Sequence, residues 1–396
     1  MTRNRPAARD RATAALWAHH HAELRDPHQI VSQWRQASEV DPALLACRVT
    51  GAWWDVLDQL GLTLLVTREY EHLVLAFCVH EGRPRTSYLH LPHPSGMAVD
   101  ARRGRVHVAS TRNPNVVFEF APCAGAVPGR PAADDATGQL LPVRAHYLPG
   151  CLYLHDLARI GGRLYANAVG LNAVVRLADG GFEPVWWPRS IDGTGGPRTD
   201  RNYLQLNSIA AGGSPATSFF SASAAAPSRR RPGHLNFPVD RRGVIFSGAT
   251  REVCATGLTR PHSARLRGRE LWVDNSGYGE VGRIAGGKFE PLLRLPGWTR
   301  GLCFRGDFAF VGTSRVLPRY RHYAPGLDPD RCQAAVHVID LRRGRVVGSV
   351  SWPSGNQLFA IEALERTAAC GFPFLPPRAS GRARTSLDCF SAGIAS

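Results

Sequence analysis

The sequence predicts an all-β protein, a β-propeller of six blades, with five or seven left open by the spacing. Three observations carry this. From Leu62 to Phe374 the chain is a succession of short apolar runs divided by Gly-containing turns, and helical periodicity of ten residues or more is absent. One unit recurs: a polar elbow, an apolar strand, a Gly turn, and a second strand ending in small polar residues. Its copies, marked by Ser95, His155, Asn207, His262, Arg300 and Gln357, lie 60, 52, 55, 38 and 57 residues apart. Periods of about 40–50 residues, loops included, are the size of a propeller blade.

The elements follow in order. Residues 1–52 read as a helical N-terminal appendage. Ala12–Gln36 is broken at Asp26-Pro27, and Asp41-Pro42 reads as a helix start with proline at the first helical position. His19, His20 and His21 are adjacent on a helix, so their side chains diverge and read as a solvated patch rather than a chelating face. Trp53, Trp54, Leu57 and Leu60 fall at helical spacing and predict a last helix that plugs or flanks the strands. The propeller is assigned to residues 53–374. Its strands begin with Leu62–Thr67, Leu73–Val79, Ser87–Leu91, Met97–Asp100, Val106–Ser110 and Val116–Phe120, and Val336–Asp340 and Val346–Val350 supply outer strands. The clearest unit runs through Arg260-Pro261-His262-Ser263, where proline keeps the residue before it extended and suits a strand entry. Leu206–Ala210 reads as a truncated copy. Pro128–Gly138 reads as a loop, and Ser/Ala-rich Gly212–Pro232 as a long mobile loop. Residues 375–396 read as a disordered tail.

Composition narrows the function classes. The chain has 396 residues, 44% of them hydrophobic, enough for a large core. No apolar run is long enough to span a membrane. The formal charge is +16, yet the only lysine is Lys288 and the arginines are scattered. The one dense cluster, Arg229-Arg230-Arg231, lies in a loop with no aromatic interleaving, which argues against nucleic acid. Nine cysteines, odd in number and without a C-x-x-C pair, read as free thiols of a reducing compartment. Met1 to Asp10 is basic and no apolar h-region follows, so the expectation is a cytoplasmic protein.

In a propeller the loops that enter the innermost strands crowd around one mouth of the channel. Equivalent elbows then meet in space, which gathers His155, Asp156, Asn207, His262, Ser263, Arg300 and Gln357 or Glu362. Convergent polar groups at a concavity mark a ligand site. Each residue also has a plainer role open to it, His155-Asp156 as a turn, His262 as a strand cap, and Arg300 as a tie to Asp307 or Glu362. Three chemistries compete. The first is a divalent transition metal held by His155, Asn207, His262 and a carboxylate, Asp156 or Glu362, with an open position that activates water or substrate. The second is metal-free acid–base work, with His155 or His262 as base and Arg300 binding an anion; here His155, His262 and Arg300 are the catalytic candidates, and Asp156, Asn207, Ser263 and Gln357 bind the ligand. The third is a platform without chemistry, a protein-interaction scaffold. The leading expectation is a small polar, anionic ligand in the channel. The Gly277-Tyr278-Gly279 stretch is a turn, since no strand-to-helix context makes it a nucleotide loop.

The segments HDLA (His155–Ala158), LNS (Leu206–Ser208), RPHSARL (Arg260–Leu266), LPGWTRGL (Leu295–Leu302), FVGTSR (Phe310–Arg315) and GNQLFAIEAL (Gly355–Leu364) occur in this order. In that combination the chain resembles a bacterial family of uncharacterised propeller-like proteins, a domain of unknown function. The resemblance covers roughly residues 53–374. It implies that some relatives are joined to tetratricopeptide repeats, and it implies no activity.

Overall fold

Apolar strands that alternate with tight turns cannot bury both faces alone, so they stack as sheets around an axis. The computed structural model describes residues 8–25, 39–112, 114–123, 138–377 and 384–385, and within these six antiparallel blades form a ring. From the inside outwards, the first blade holds Ile361–Glu365, Leu62–Arg68, Leu73–His80 and Arg83–His90. The innermost strands of the next five are Pro94–Asp100, Leu154–Ile160, Leu206–Ala210, Pro261–Arg267 and Trp298–Arg305. Each packs against its neighbours in turn, and Ile361–Glu365 contacts both Trp298–Arg305 and Pro94–Asp100, which closes the ring. The first blade is thus built from both ends of the propeller sequence, with Leu62 opposite Glu365 and Val66 opposite Ile361. The turns from first to second strand rest on Gly104, Gly268 and Gly306, with φ of 64°, 61° and 55°. That region favours glycine, which is why the turns are legible in the sequence.

The innermost strands share an irregularity. Between Pro94 and Met97, Leu154 and Leu157, His262 and Arg265, and Thr299 and Leu302, three steps face two on the partner strand. Between Leu206 and Ser208, two steps face one. In the first blade Phe359 donates to Thr67 O at 2.9 Å while Thr67 donates to Ala360 O at 3.0 Å, so two residues again oppose one. Each inner strand therefore carries one extra residue at its entry, a β-bulge that bends the strand and re-aims its side chains. Gly96 fits this crowding, because a Cβ there would lie 2.4 Å from the Asp156 Cα of the next blade.

The N-terminal segment departs from the helical expectation. Helices run over Ala8–Arg25 and Pro42–Leu45, and Asp41 Oδ1 caps the second by accepting from Ala43 N at 2.9 Å. Arg48–Gly51, however, is a fifth, outermost strand on the sixth blade, with Arg48 opposite Ser351. Its short β-branched stretch is recruited by an open sheet edge. The Trp53–Gln59 helix buries Trp53 completely, edge-on to Phe77 of the first blade at 5.6 Å and Phe310 of the sixth at 6.4 Å. It seals the seam where the ring closes. Arg68, also fully buried, donates to Leu44 O and to Ser354 O at 2.5 and 2.8 Å and lies over the Trp352 ring.

Two further expectations change. Within Gly212–Pro232, Phe219–Ala222 is the second strand of a complete fourth blade, paired with Leu206–Ala210 and Gly243–Ser247. Its Ser and Ala neighbours had disguised it as loop. Arg384 and Thr385 pair with Leu375 and Phe374 at the outer edge of the first blade, so part of the tail is strand. The helix break at Asp26-Pro27 and the Pro128 loop lie outside the described residues, apart from Gly138. Cys78, Cys303, Cys332 and Cys370 are buried, whereas Cys151 is exposed. No described helix is long and apolar enough to cross a membrane.

Candidate functional site

The bulges place two tiers of side chains at one mouth of the channel. The lower tier follows from strand position: Ser95, His155, Asn207 and His262 sit one residue past the first paired position of an inner strand and Arg300 two past it, and Ser95, His155, His262 and Arg300 each lie five residues before the strand's last paired residue. In the first blade that position is Phe359, not Gln357. The upper tier lies two residues earlier on the five strand entries other than that of Ser95, where period two returns a side chain to the same face. It comprises Tyr153, Gln205, Arg260, Trp298 and Gln357. Tyr153, Gln205 and Arg260 hold φ near 50°, a region residues other than glycine seldom occupy. Together with His155, His262, Arg300, Phe359 and the insertion residues Tyr320 and Tyr323, all five upper-tier residues line a cavity of 350 Å³. Beneath it lies a chamber of 10 Å³, about the room of one water. Of this tier only Gln357 was expected from the sequence, although Tyr153, Arg260 and Trp298, aromatic or basic residues two places before His155, His262 and Arg300, were a readable sign.

Two arginines dominate the site. Arg300 is 7% exposed, with its guanidinium carbon 3.3 Å from the Phe359 ring centre. With the Gln357 amide turned to satisfy both neighbours, its oxygen accepts from Arg300 Nη1 at 2.8 Å and its nitrogen donates to Glu69 Oε2 at 3.2 Å. Arg300 Nη2 is buried without a partner among the described residues. Arg260 is 3% exposed and stacks on Tyr323 at 3.8 Å. Its Nη1 donates to Gln205 Oε1 at 2.5 Å and Ser223 Oγ at 3.3 Å, while Nε and Nη2 have no partner among the described residues. Burial lowers both guanidinium pKa values, Arg260 to about 10; a guanidinium group is the side chain that holds its charge most firmly. Neither forms an ion pair with a carboxylate among the described residues. Glu69, reached through Gln357, favours the Arg300 cation without touching it; buried charge without a direct partner is costly, and here it is concentrated at a concavity.

The histidines respond to that charge. Burial first, and Arg300 second, holds both His155 and His262 well below the usual imidazole pKa. His155 stands edge-on to Tyr153 at 4.7 Å and Phe359 at 5.6 Å, and its Nδ1 has no partner among the described residues. His262 Nδ1 lies 2.9 Å from Arg260 O and 3.0 Å from Ser276 Oγ. The two depressed pKa values make these rings weak bases in the free protein.

Several site assignments move. Asp156 is saturated: Oδ2 accepts from Ile209 N at 2.9 Å and Arg265 Nη1 at 2.8 Å, and Oδ1 from Leu157 N at 3.1 Å and Arg265 Nη2 at 3.3 Å. It straps the third, fourth and fifth blades together and offers a ligand little. Ser263 Oγ accepts from Gly301 N at 2.7 Å and ties the fifth blade to the sixth. Asn207 Nδ2 donates to Ser223 Oγ and Pro261 O at 3.1 and 2.9 Å, and Oδ1 has no partner among the described residues. Ser95 Oγ donates to Ala109 O and Leu154 O, both at 3.0 Å, and joins blades. Arg300 pairs with neither Asp307 nor Glu362. Asp307 instead lies near Arg267 and Arg342.

The metal set His155, Asn207, His262 and Glu362 does not assemble. Glu362 lies three residues further along its strand than Phe359 and faces Arg265 Nη2 at 3.7 Å, below the histidines. Burial pushes its carboxyl up to about 7 against the pull of Arg265 and Arg305. Among the described residues no three His, Cys, Asp or Glu side chains gather as metal ligands. Arg300, beside both imidazoles, makes the spot electrostatically hostile to a cation.

Structural comparisons bear on the fold. The nidogen/laminin complex matches with a TM-score of 0.50 and 11% identity, over 78% of this chain and 99% of that one. Apo AztD from Citrobacter koseri (TM-score 0.40, 11% identity, 76% and 97% covered) and a gluconolactonase from Xanthomonas campestris (0.42, 13%, 74% and 86%) are more distant. At these identities the likeness extends to architecture alone. No curated protein matches the chain. Residues 51–371, from the last outer strand to just beyond the closing strand of the ring, match the family model of the domain of unknown function DUF4915, and the chain belongs to that family.

Proposed function

We propose that the mouth of the channel binds a small organic anion, with its carboxylate or phosphate between Arg260 and Arg300. One observation carries this reading. Two buried guanidinium groups line one cavity, keep N–H donors without partners and form no direct ion pair with a carboxylate among the described residues, Glu69 reaching Arg300 only through Gln357. An anion supplies the missing acceptors, and planar guanidinium groups suit the two oxygens of a carboxylate or phosphate. Tyr153, Trp298, Tyr323 and Phe359 supply apolar walls for the rest of the molecule. His155 and Asn207 add further polar atoms at the floor.

Calorimetric titration tests this with phenylacetate, succinate and inorganic phosphate as probes. Arg300→Gln and Arg260→Gln each lose about 10–100-fold in affinity for the probe that binds, the worth of one charged hydrogen-bonded contact. Full affinity in both variants, with both folded, overturns the reading.

A further inference from the structure

Building on that anion site, we propose that the ligand is a hydroxy acid, whose hydroxyl donates to Nε2 of His262 while its carboxylate meets the arginines. The argument begins with a tautomer. Ser276 Oγ lies 2.6 Å from Thr299 O, a carbonyl that can only accept, so the serine proton goes there. Toward His262 the serine oxygen is then an acceptor. Arg260 O, the other neighbour of Nδ1, is a carbonyl and also an acceptor. Two acceptors at 2.9 and 3.0 Å fix the proton on Nδ1. Nε2 is therefore a bare lone pair. It has no hydrogen-bond partner among the described residues, and His262 lines both the cavity and the chamber below it.

The surrounding charge keeps it so. Burial opposes a proton on His262, and Arg300, His155 and Arg260 add to that. The ring stays an acceptor at neutral pH and calls for a donor on the ligand. That donor is neutral, because an ammonium group would face two guanidinium charges. A hydroxyl meets both conditions. Its place relative to the anion follows from the chain: Arg260 holds the His262 ring with its carbonyl and offers its side chain to the anion, while Arg300 enters from the adjoining blade. Hydroxyl and carboxylate are thus read by neighbouring groups, as on an α- or β-hydroxy acid.

The test uses probes that differ at one atom group. Phenylacetate, mandelate and phenylglycine carry CH₂, CHOH and CHNH₃⁺ beside the same carboxylate; succinate and malate form an aliphatic pair. In the wild type, the hydroxyl member of at least one pair binds about tenfold tighter than its parent, and phenylglycine binds more weakly than mandelate. In His262→Phe the difference within the pair disappears. Nitrogen NMR of the imidazole gives a second readout: the Nε2 signal of the free protein is that of an unprotonated nitrogen, and it shifts with the hydroxy acid but not with its parent. Should His262→Phe fail to fold, the wild-type comparison and the NMR signal decide. Equal affinities within both pairs, or a hydroxyl advantage that survives His262→Phe, overturn the proposal while leaving the anion site standing. Binding of no probe removes both.

Discussion

At the scale of single residues, the site is a balance of charge against burial. His155 and His262 are kept neutral by burial and by Arg300. Their native pKa values lie below the unfolded value of about 6.5, so the unfolded chain takes up protons that the native state refuses. Their contribution to stability is complete above that pH and is lost as pH falls below it. In proton NMR titrations neither ring is expected to protonate as an exposed histidine does; in Arg300→Gln both midpoints move up. Glu362 behaves in the opposite sense. Its native pKa of about 7 exceeds its unfolded value, so its contribution is present at low pH and is lost as pH rises from about 4.5 to about 7. Glu362→Gln should therefore gain stability relative to the wild type across that window and hold the gain above it, read by urea unfolding at a series of pH values. Asp156→Asn, by contrast, leaves Arg265 without its bidentate partner and costs about 3–5 kcal/mol.

At the scale of elements, the bulged inner strand is the unit that turns sequence into site. Elbow residues were legible because His, Asn and Arg recurred at one place in a repeated unit: Ser95, His155, Asn207 and Arg300 stand in the bulges of their strands, and His262 immediately before its own. The extra residue was not legible. A bulge changes the direction of a side chain without leaving a mark in composition, so Gln357 was read as the first blade's equivalent although Phe359 is. Asp156 does line the lower chamber with both histidines, but its oxygens are taken by Arg265 and backbone N–H groups, and Glu362 is turned toward Arg265. The tight inner ring makes its own prediction. Gly96→Ala sets a Cβ against the backbone of Asp156, and a loss of about 1–3 kcal/mol or more is expected in thermal unfolding.

At the scale of the whole molecule, closure of the ring is what brings the tiers together. The blade count followed from the recurrent elbows, but the route of closure did not, since neither end of a propeller sequence announces which strand it completes. Ile361–Glu365 completes the first blade, Arg68 fastens Ser354 near the approach to that strand, and Trp53 caps the seam. A chain ended at Ser354 loses the closing strand together with Gln357 and Phe359, and is expected to unfold at lower denaturant with a broadened transition. The aromatic insertions that wall the cavity, Tyr320 and Tyr323 among them, come from a loop between strands of the sixth blade and have no counterpart in the repeat. Repetition could not reveal them.

The closed ring holds two buried arginines, with no direct ion pair to a carboxylate among the described residues, ready for an anion. Calorimetric titration of phenylacetate, succinate and phosphate into the wild type, Arg260→Gln and Arg300→Gln tests it most directly. Saturable binding of at least one probe to the wild type, weakened about 10–100-fold by either substitution, is the predicted result. Binding of no probe to a folded wild type, or binding that ignores both substitutions, would contradict it.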